Sequence, residues 1–194
     1  MSLPTIFYKG ELMLPTIYTE RLVLRNISLL DANDMFEYSH TPYVGPVAGW
    51  NPHKTVAETR AVINMFLAYQ SKGALGVYAI VLKDTNKMVG TIELFNHVRE
   101  FKAEMGYALN PAYWGRGIVP EAAEAMLAWG FEDLHLKRIE INLFTDNHQS
   151  ERVCQKLGMT YEGLIRNGYL RYDGKIFDEK KYSITDKEYF QTRY

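Results

Sequence analysis

Three apolar runs follow one another closely in the middle of this 194-residue chain. The first covers residues 77–82, a polar turn occupies residues 84–86, and the second run returns over residues 88–95. A third run, residues 103–109, follows a second polar loop. Strands joined by such short connections pair antiparallel. The sequence therefore predicts an antiparallel meander at the centre of the fold.

Helices and further strands flank the meander. Ser28 and Thr55 have the spacing of helix caps, and Gly73 is a natural end for the second helix. Another helix is predicted from about Pro120, and Asn147 begins the next one. The remaining strands are predicted at residues 21–25, 138–144, 160–165 and 177–184.

The composition fits one mixed α/β domain over residues 1–194, with residues 1–18 as an N-terminal arm. Hydrophobic residues make up 47% of the chain, which is enough for a core. Lys plus Arg number 22 and Asp plus Glu number 23, so the chain lacks the basic footprint of a general nucleic-acid-binding protein. Cys154 is the single cysteine, no apolar run approaches the roughly 18 residues of a membrane span, and the N-terminus has no signal-peptide pattern. We therefore expect a cytoplasmic protein without a membrane segment.

A glycine-containing turn, Trp114-Gly115-Arg116-Gly117-Ile118-Val119, lies between the third meander strand and a helix. Glycine lets the backbone approach a ligand closely, and the first N–H groups of a helix have no intrahelical partner. Together with the helix dipole and the charge of Arg116, they make a site suited to phosphate. A plain strand-to-helix turn explains a Gly-x-Gly pair equally well. The P-loop pattern is absent, and Pro120 stands where the Rossmann fingerprint has its third glycine.

Four ordered motifs make the sequence resemble a known family. Residues 104–122 are similar to the acetyl-CoA signature of the GNAT superfamily. Residues 146–163 are similar to a second signature of the branch that includes ribosomal-protein N-terminal acetyltransferases, and residues 19–25 and 174–183 resemble the same branch. The resemblance implies a mixed, mostly antiparallel central sheet of about six to seven strands, with helices on both faces and a splay between the fourth and fifth strands. It also implies acetyl-CoA as co-substrate and no metal.

By this resemblance, acetyl-CoA lies in the splay between the predicted strands at residues 103–109 and 138–144. The exposed backbone of the first strand contacts the pantetheine arm through Tyr107, Ala108 and Leu109, and an N–H on this strand polarises the thioester carbonyl. The branch usually has Ser or Thr where Pro120 stands, and proline offers no N–H. The pyrophosphate lies on the glycine turn, formed by Trp114, Gly115, Arg116, Gly117, Ile118 and Val119.

The acceptor is expected to be an amine, which must lose a proton before it attacks. Glu93 is the leading candidate for the base because it lies on the central meander strand near the expected acetyl position; a solvated strand residue is the alternative. Glu104 resembles a family glutamate and is a second candidate base, with strand packing or a hydrogen bond as its alternatives. His97 and His148 are weaker candidates, since a lone histidine is usually a surface residue.

Ser150 is the candidate proton donor for the leaving thiolate, as in this branch of the family. Asn147 is three residues earlier, on the same helix face, and is a further cofactor contact. The alternative is that Asn147 caps the helix and Ser150 only occupies its first turn; both roles can hold at once. Cys154, one turn further on, is predicted as a small core residue.

The acceptor-binding surface is predicted in the loop of residues 43–52, with Tyr43 and Trp50, opposite Tyr169 and Tyr172. The alternative is that these aromatic residues only pin the loop to the body of the fold. The resemblance implies direct acetyl transfer to the α-amine of a protein N-terminus. Left open are a small-amine acetyltransferase (polyamine, antibiotic or amino acid), a non-catalytic acyl-CoA-binding module, a phosphate-binding protein of another fold, and a homodimeric assembly.

Overall fold

The computed structural model describes residues 6–8, 11–72 and 74–193, with side chains from residue 14 onward. Gly73, predicted to end the second helix, and residues 1–5 and 9–10 of the predicted arm lie outside the described residues. In the rest of the arm, β1 (Ile6–Tyr8) and β2 (Glu11–Met13) pair as a separate antiparallel ladder. The last residues of the arm, β3 (Ile17–Tyr18), join the main sheet at one edge.

The main sheet has eight strands in the described part of the chain, which is more than the predicted six to seven because β3 adds an edge strand. The others are β4 (Leu22–Asn26), β5 (Val77–Leu82), β6 (Met88–Val98), β7 (Lys102–Leu109), β8 (Arg138–Phe144), β9 (Thr160–Leu170) and β10 (Ile176–Thr185). Their order across the sheet is β3-β4-β5-β6-β7-β8-β10-β9. Every neighbouring pair is antiparallel except β7 and β8, which are parallel. The predicted meander and the mostly antiparallel sheet are confirmed.

The helices are α1 (Ala32–Ser39), α2 (Gly45–Ala48), α3 (Val56–Gln70), α4 (Ile118–Ala128), α5 (His148–Lys156) and α6 (Asp186–Arg193). Thr55 caps α3 as predicted, because its side chain accepts a hydrogen bond from the N–H of Glu58. The segment predicted as a loop over residues 40–52 contains the single turn α2. Helix α4 begins at Ile118 rather than near Pro120, because a proline is tolerated in the first helical turn, where N–H groups have no intrahelical partner.

Helices cover both faces of the sheet, as predicted. The alternation along β5 shows the two faces: Tyr78 and Ile80 pack into a core cluster with residues of α4, α5 and α6. Val77, Ala79 and Val81 point the other way and pack into a second cluster with residues of α1 and α3. We call these faces the α4 side and the α3 side.

Strands β7 and β8 are neighbours along only part of their length. The parallel ladder joins residues 102–104 to residues 138–140 and ends there. Beyond Glu104 the strands diverge, so the backbone groups of residues 105–109 that face β8 take no part in a sheet ladder. This gap is the splay predicted between the fourth and fifth strands.

A charged network closes the base of the gap. Arg138 donates hydrogen bonds to Glu140 at 2.8 Å, to Glu162 at 2.5 Å and to Ser183 at 2.9 Å. Glu140 is only 2% exposed. It also pairs, at 3.4 Å, with Lys102 and Lys181. The network ties β8, β9 and β10 together where β8 meets β7.

Candidate active site

The gap between β7 and β8 opens into a cleft of about 1040 Å³ that is lined from both sides of the sheet. On the α4 side its walls are the first turn of α4 and the inner face of α5, including Gly117, Ile118, Val119 and Ser150. On the α3 side its walls are α2, α3 and the sheet itself, including Trp50, Phe66, Glu93 and Glu104.

Strand register explains why several polar side chains share the α3 side. Glu93 pairs with Gly106, and its partner on β5 belongs to the α3-side core. Two residues before Gly106, Glu104 faces the same side, because strand side chains alternate. The β7–β8 ladder places Asn142 on this side too, and the β8–β10 ladder adds Glu179.

Two left-handed glycines shape the turn before α4. Gly115 has a φ of 74° and Gly117 a φ of 73°, a region that other residues rarely adopt. Gly117 is the N-cap, and its carbonyl accepts the first hydrogen bond of α4. The N–H groups of Ile118 and Val119 precede that bond and have no partner within the helix. They border the cleft and suit an anion, whereas Pro120 contributes no N–H.

The Arg116 side chain is exposed beside the turn. Its guanidinium lies over the ring of Tyr113, 5.1 Å from the centroid, and its side chain is not part of the described cleft lining. Its carbonyl accepts a hydrogen bond from Arg21 at 2.9 Å. Arg21 also binds Glu121 of α4 at 2.6 Å. The carbonyl of Arg116 therefore helps to hold the turn in place, while its exposed guanidinium lies beside Tyr113, a residue of the cleft lining.

Strand β7 contributes both backbone and side chains. Of the three predicted backbone contacts, Leu109 already uses its carbonyl, which accepts a hydrogen bond from the indole Nε1 of Trp114 at 3.0 Å. The Tyr107 side chain reaches the α4 side, and its hydroxyl is buried without a hydrogen-bond partner among the described residues. Burial raises the pKa of Tyr107, and the Ser150 hydroxyl opposes that rise. The sequence analysis considered only the backbone of Tyr107.

Helix α5 borders the cleft with its first two turns. Asn147 Oδ1 accepts from the N–H of Ser150 at 3.1 Å, and Asn147 Nδ2 donates to the carbonyl of Val47 at 3.4 Å, so Asn147 is the predicted helix cap. The half-buried Ser150 hydroxyl lines the cleft. Arg152 and Lys156 also line it. Arg152 and Lys156 are four residues apart, so they share one helix face, and this spacing in the sequence could have predicted that both cations lie on the same side of α5.

Glu93 lines the α3 side of the cleft and is half-buried. Desolvation raises the pKa of its carboxyl group to about 7, and no cation or hydrogen-bond donor in the described part of the chain offsets that effect. A carboxylate with this pKa is partly ionised near neutral pH and can accept a proton from a ligand. Glu93 was predicted to lie near the reacting groups, and its desolvated surroundings suit a base.

Two amides hold Glu104 in place. Asn96 Nδ2 donates to it at 3.0 Å and Asn142 Nδ2 at 3.3 Å. The carboxylate is thereby fixed where β7 and β8 separate, which matches the hydrogen-bonding alternative for this residue. Glu179 was missed by the sequence analysis: burial, and then the charge of Glu104, raise its pKa. Nothing local marks Glu179, since it reaches the cleft only through the pairing of β10 with β8.

The two predicted aromatic walls are only partly present. Trp50 and Tyr169 line the cleft. Tyr43 is 65% exposed and Tyr172 is 47% exposed, and neither belongs to the described lining. The Tyr169 hydroxyl donates to the carbonyl of Gly49 at 3.2 Å. This contact fastens the α2 segment to β9, which was the alternative reading of these aromatic residues.

One histidine that the sequence analysis passed over lines the cleft. His53 Nδ1 lies 2.8 Å from Thr59 Oγ1, and burial lowers the pKa of His53, which favours its neutral form. His97 and His148, the two weaker candidates, do not belong to the described lining.

No helix within residues 14–72 and 74–193 has the length and apolar character to cross a membrane. The side chains described there also include no cluster of three or more His, Cys, Asp or Glu residues arranged to hold a metal ion.

Comparison with known proteins agrees with this geometry. Residues 21–160 match a model of the acetyltransferase (GNAT) domain. The chain is 32% identical over 176 residues to an uncharacterised N-acetyltransferase, p20, of Bacillus licheniformis, covering 90% of this chain and 98% of that protein. It is 24% identical to the ribosomal protein uS5-alanine N-acetyltransferase of Escherichia coli, covering 94% and 96%. A solved acetyltransferase (GNAT family) of Bacillus anthracis aligns with a TM-score of 0.77 and 28% identity, covering 90% of this chain and 100% of that one.

The raised pKa of Glu93 predicts a pH-dependent stability. Its carboxyl pKa is about 7 in the folded protein, compared with an ordinary value of 4.5. This pKa difference corresponds to a change of roughly 3 kcal/mol in the free energy of unfolding. The folded state therefore holds this proton more tightly, and stability is lost as pH rises from the lower pKa through the higher one. Glu93→Gln removes the charge, so it should raise the melting temperature relative to wild type at about pH 8 and much less at about pH 5.

The matched control is Glu100→Gln, in an exposed turn where the Glu100 side chain is 62% exposed. It should shift the melting temperature little at either pH. Thermal unfolding of the three proteins at both pH values measures the effect. An equal shift for Glu93→Gln at both pH values would contradict the assignment of a desolvated carboxylate.

Proposed function

Because the chain belongs to the GNAT acetyltransferase family, we propose that this acetyl-CoA-dependent N-acetyltransferase moves the acetyl group directly to the α-amine of a protein N-terminus. One observation carries the proposal. A single cleft joins an anion-binding turn on the α4 side to the desolvated carboxylate of Glu93 on the α3 side. The turn suits the phosphates of acetyl-CoA, and the carboxylate suits a base for the incoming amine.

The α4 side of the cleft fits the parts of acetyl-CoA. The N–H groups of Ile118 and Val119, with the charges of Arg152 and Lys156, suit its phosphates. The free edge of β7 suits the amide groups of the pantetheine arm, which can take the place of a strand partner. When bound, acetyl-CoA supplies the acetyl group as a thioester.

Glu93 is the proposed base. Only a neutral amine attacks the thioester, and an α-amine, with a pKa near 8, needs little help to lose its proton. A carboxylate with a pKa of about 7 is ionised often enough near neutral pH to take that proton, directly or through one water. Glu104, held by two amide groups, is proposed to orient the acceptor.

Ser150 is the proposed proton donor. Glu93 passes the ammonium proton on to solvent, and the neutral amine attacks. As the new C–N bond forms and the C–S bond breaks, the remaining surplus amine proton passes to Glu93, the departing sulfur takes a proton from the Ser150 hydroxyl, and Ser150 regains a proton from water. Ser150 lines the α4 side, where the sulfur belongs, and its hydroxyl is near enough to Tyr107 to affect the pKa of that residue. Tyr107 can therefore support Ser150 by a hydrogen bond.

The choice of a protein N-terminus as acceptor is supported by one relative and challenged by two contacts. The E. coli relative is named for the alanine of ribosomal protein uS5, and the similarity covers 94% of this chain. A small amine is the second candidate. It is favoured by two contacts that join the α2 segment to β9 and the residue after it on the α3 side. The Tyr169 hydroxyl donates to the carbonyl of Gly49 at 3.2 Å, and Arg171 donates to the carbonyl of Pro46 at 3.1 Å.

The purified protein should consume acetyl-CoA and form an amide when a suitable amine is present. Intact-mass spectrometry of a panel of peptides with varied N-termini, and of small amines, identifies the acceptor. The same peptides with blocked N-termini are the control and should gain no acetyl group. Tight acetyl-CoA binding with no acetylated product from any amine would overturn the proposal in favour of a non-catalytic acyl-CoA-binding module.

Glu93→Gln should lower kcat/KM by about 100-fold, the usual contribution of a general base. In the wild type, kcat/KM should rise with pH through about 7, as Glu93 loses its proton, and the variant should lack this inflection. Glu104, Glu179 and His53 line the same side and are unchanged in the variant. Glu100→Gln is the control and should keep the wild-type profile. An inflection near the same pH in Glu93→Gln would remove Glu93 as the base.

Ser150→Ala should lower kcat by roughly 10-fold or more while the Kd of acetyl-CoA changes little, because the hydroxyl acts on the departing sulfur. Initial rates and calorimetric titration with acetyl-CoA measure the two quantities. Ser71→Ala, at the far end of α3, is the matched control and should change neither. Unchanged turnover in Ser150→Ala would remove Ser150 as the proton donor.

A further inference from the structure

Charge in the cleft is divided between the two sides of the sheet. Among the described residues that line it, the cations Arg152 and Lys156 belong to α5 on the α4 side. The carboxylates Glu93, Glu104 and Glu179 face the α3 side, where strand register brings them together from β6, β7 and β10. The cofactor half of the cleft is therefore cationic, and the acceptor half is anionic.

Neighbouring cations offset these carboxylates only in part. Lys181 lies two residues from Glu179 on the same strand face, but its Nζ is 3.4 Å from Glu140, and its charge lowers the pKa of Glu179 less than burial and Glu104 raise it. Arg171 pairs with Asp173 at 2.7 Å. Burial favours neutral His53, which lines the same side. The α3 side thus keeps a negative charge that a bound cation can balance.

One polar group on the α3 side lacks a hydrogen-bond partner among the described residues. Asn142 Oδ1 is buried without a donor, while Asn142 Nδ2 donates to Glu104. A buried polar atom without a partner is stabilised when a ligand supplies the missing hydrogen bond. A protonated amine carries three donors, which suit both a carboxylate and the Asn142 oxygen.

We infer that the α3 side selects an acceptor that carries a second cationic group beside the amine to be acetylated. The reacting amine lies at Glu93, and the second cation lies between Glu104, Glu179 and the Asn142 oxygen. Glu93 and Glu104 are diagonal neighbours across the β6–β7 ladder, so roughly 7 Å separates the two positions. A short aliphatic diamine spans that distance. The inference rests on the proposed N-acetyl transfer and deepens it by naming the charge of the acceptor.

Three acceptors with the same four-carbon chain and the same reacting amine test this inference. Butylamine ends in a methyl group, putrescine in an ammonium group and γ-aminobutyrate in a carboxylate. With the full chain and acetyl-CoA, kcat/KM for putrescine should exceed that for butylamine by about tenfold, and γ-aminobutyrate should be the poorest. Peptides beginning Ala-Lys and Ala-Glu form a second arm, which shows whether the second cation comes from a small molecule or from a peptide side chain.

Glu179→Gln should reduce the ratio of putrescine to butylamine, because it removes one carboxylate from the second position. Glu100→Gln, outside the cleft, should leave that ratio at the wild-type value. Equal kcat/KM for the three small acceptors and for both peptides would overturn the inference while N-acetyl transfer stands. If no amine is acetylated, the proposed function fails, and the inference fails with it.

Discussion

The separation of β7 from β8 is the constraint on which the cleft depends. Parallel pairing stops after Glu104, and Arg138 fixes that end of the gap by binding residues of β8, β9 and β10. Backbone groups that would otherwise complete a ladder then face open space, and buried backbone groups need partners. One of these groups, the carbonyl of Leu109, accepts a hydrogen bond from the indole Nε1 of Trp114. The remaining groups make β7 a surface that a ligand with amides of its own can complete.

Two glutamate side chains in this sheet have pKa values shifted in opposite directions. At the closed end of the gap, the hydrogen bond from Arg138 lowers the pKa of Glu162 to about 2. At the open end, desolvation without a partner raises the pKa of Glu93 to about 7. The first carboxylate is permanently charged and holds strands together. The second can exchange a proton near neutral pH, which is the property that base catalysis needs and that a structural ion pair lacks.

Sequence patterns predicted the elements well and the site unevenly. The meander and the caps at Thr55 and Asn147 depend on local signals, whereas the splay was implied by the family resemblance, and the structure has each of them. The placement of the Arg116 side chain at the phosphates stays a prediction; the guanidinium lies over the ring of Tyr113, which lines the cleft. Glu179 could be assigned to the cleft only from the pairing of β10 with β8 in the structure. Residues that reach a site by pairing between distant strands leave no signal at their own positions.

The cleft passes through the sheet, and this explains how cofactor and acceptor groups stay apart. Ser150 and the α4 turn belong to one side, whereas Glu93 belongs to the other, so a thioester in the gap would present opposite faces to the proposed proton donor and to the proposed base. The two charges of α5 are available to phosphates on the α4 side, because the sheet lies between them and the carboxylates. If the cleft lay on one face only, these opposite charges would meet and neutralise each other. Divergence of two strands therefore provides the opening and also keeps the unpaired carboxylate available for an amine.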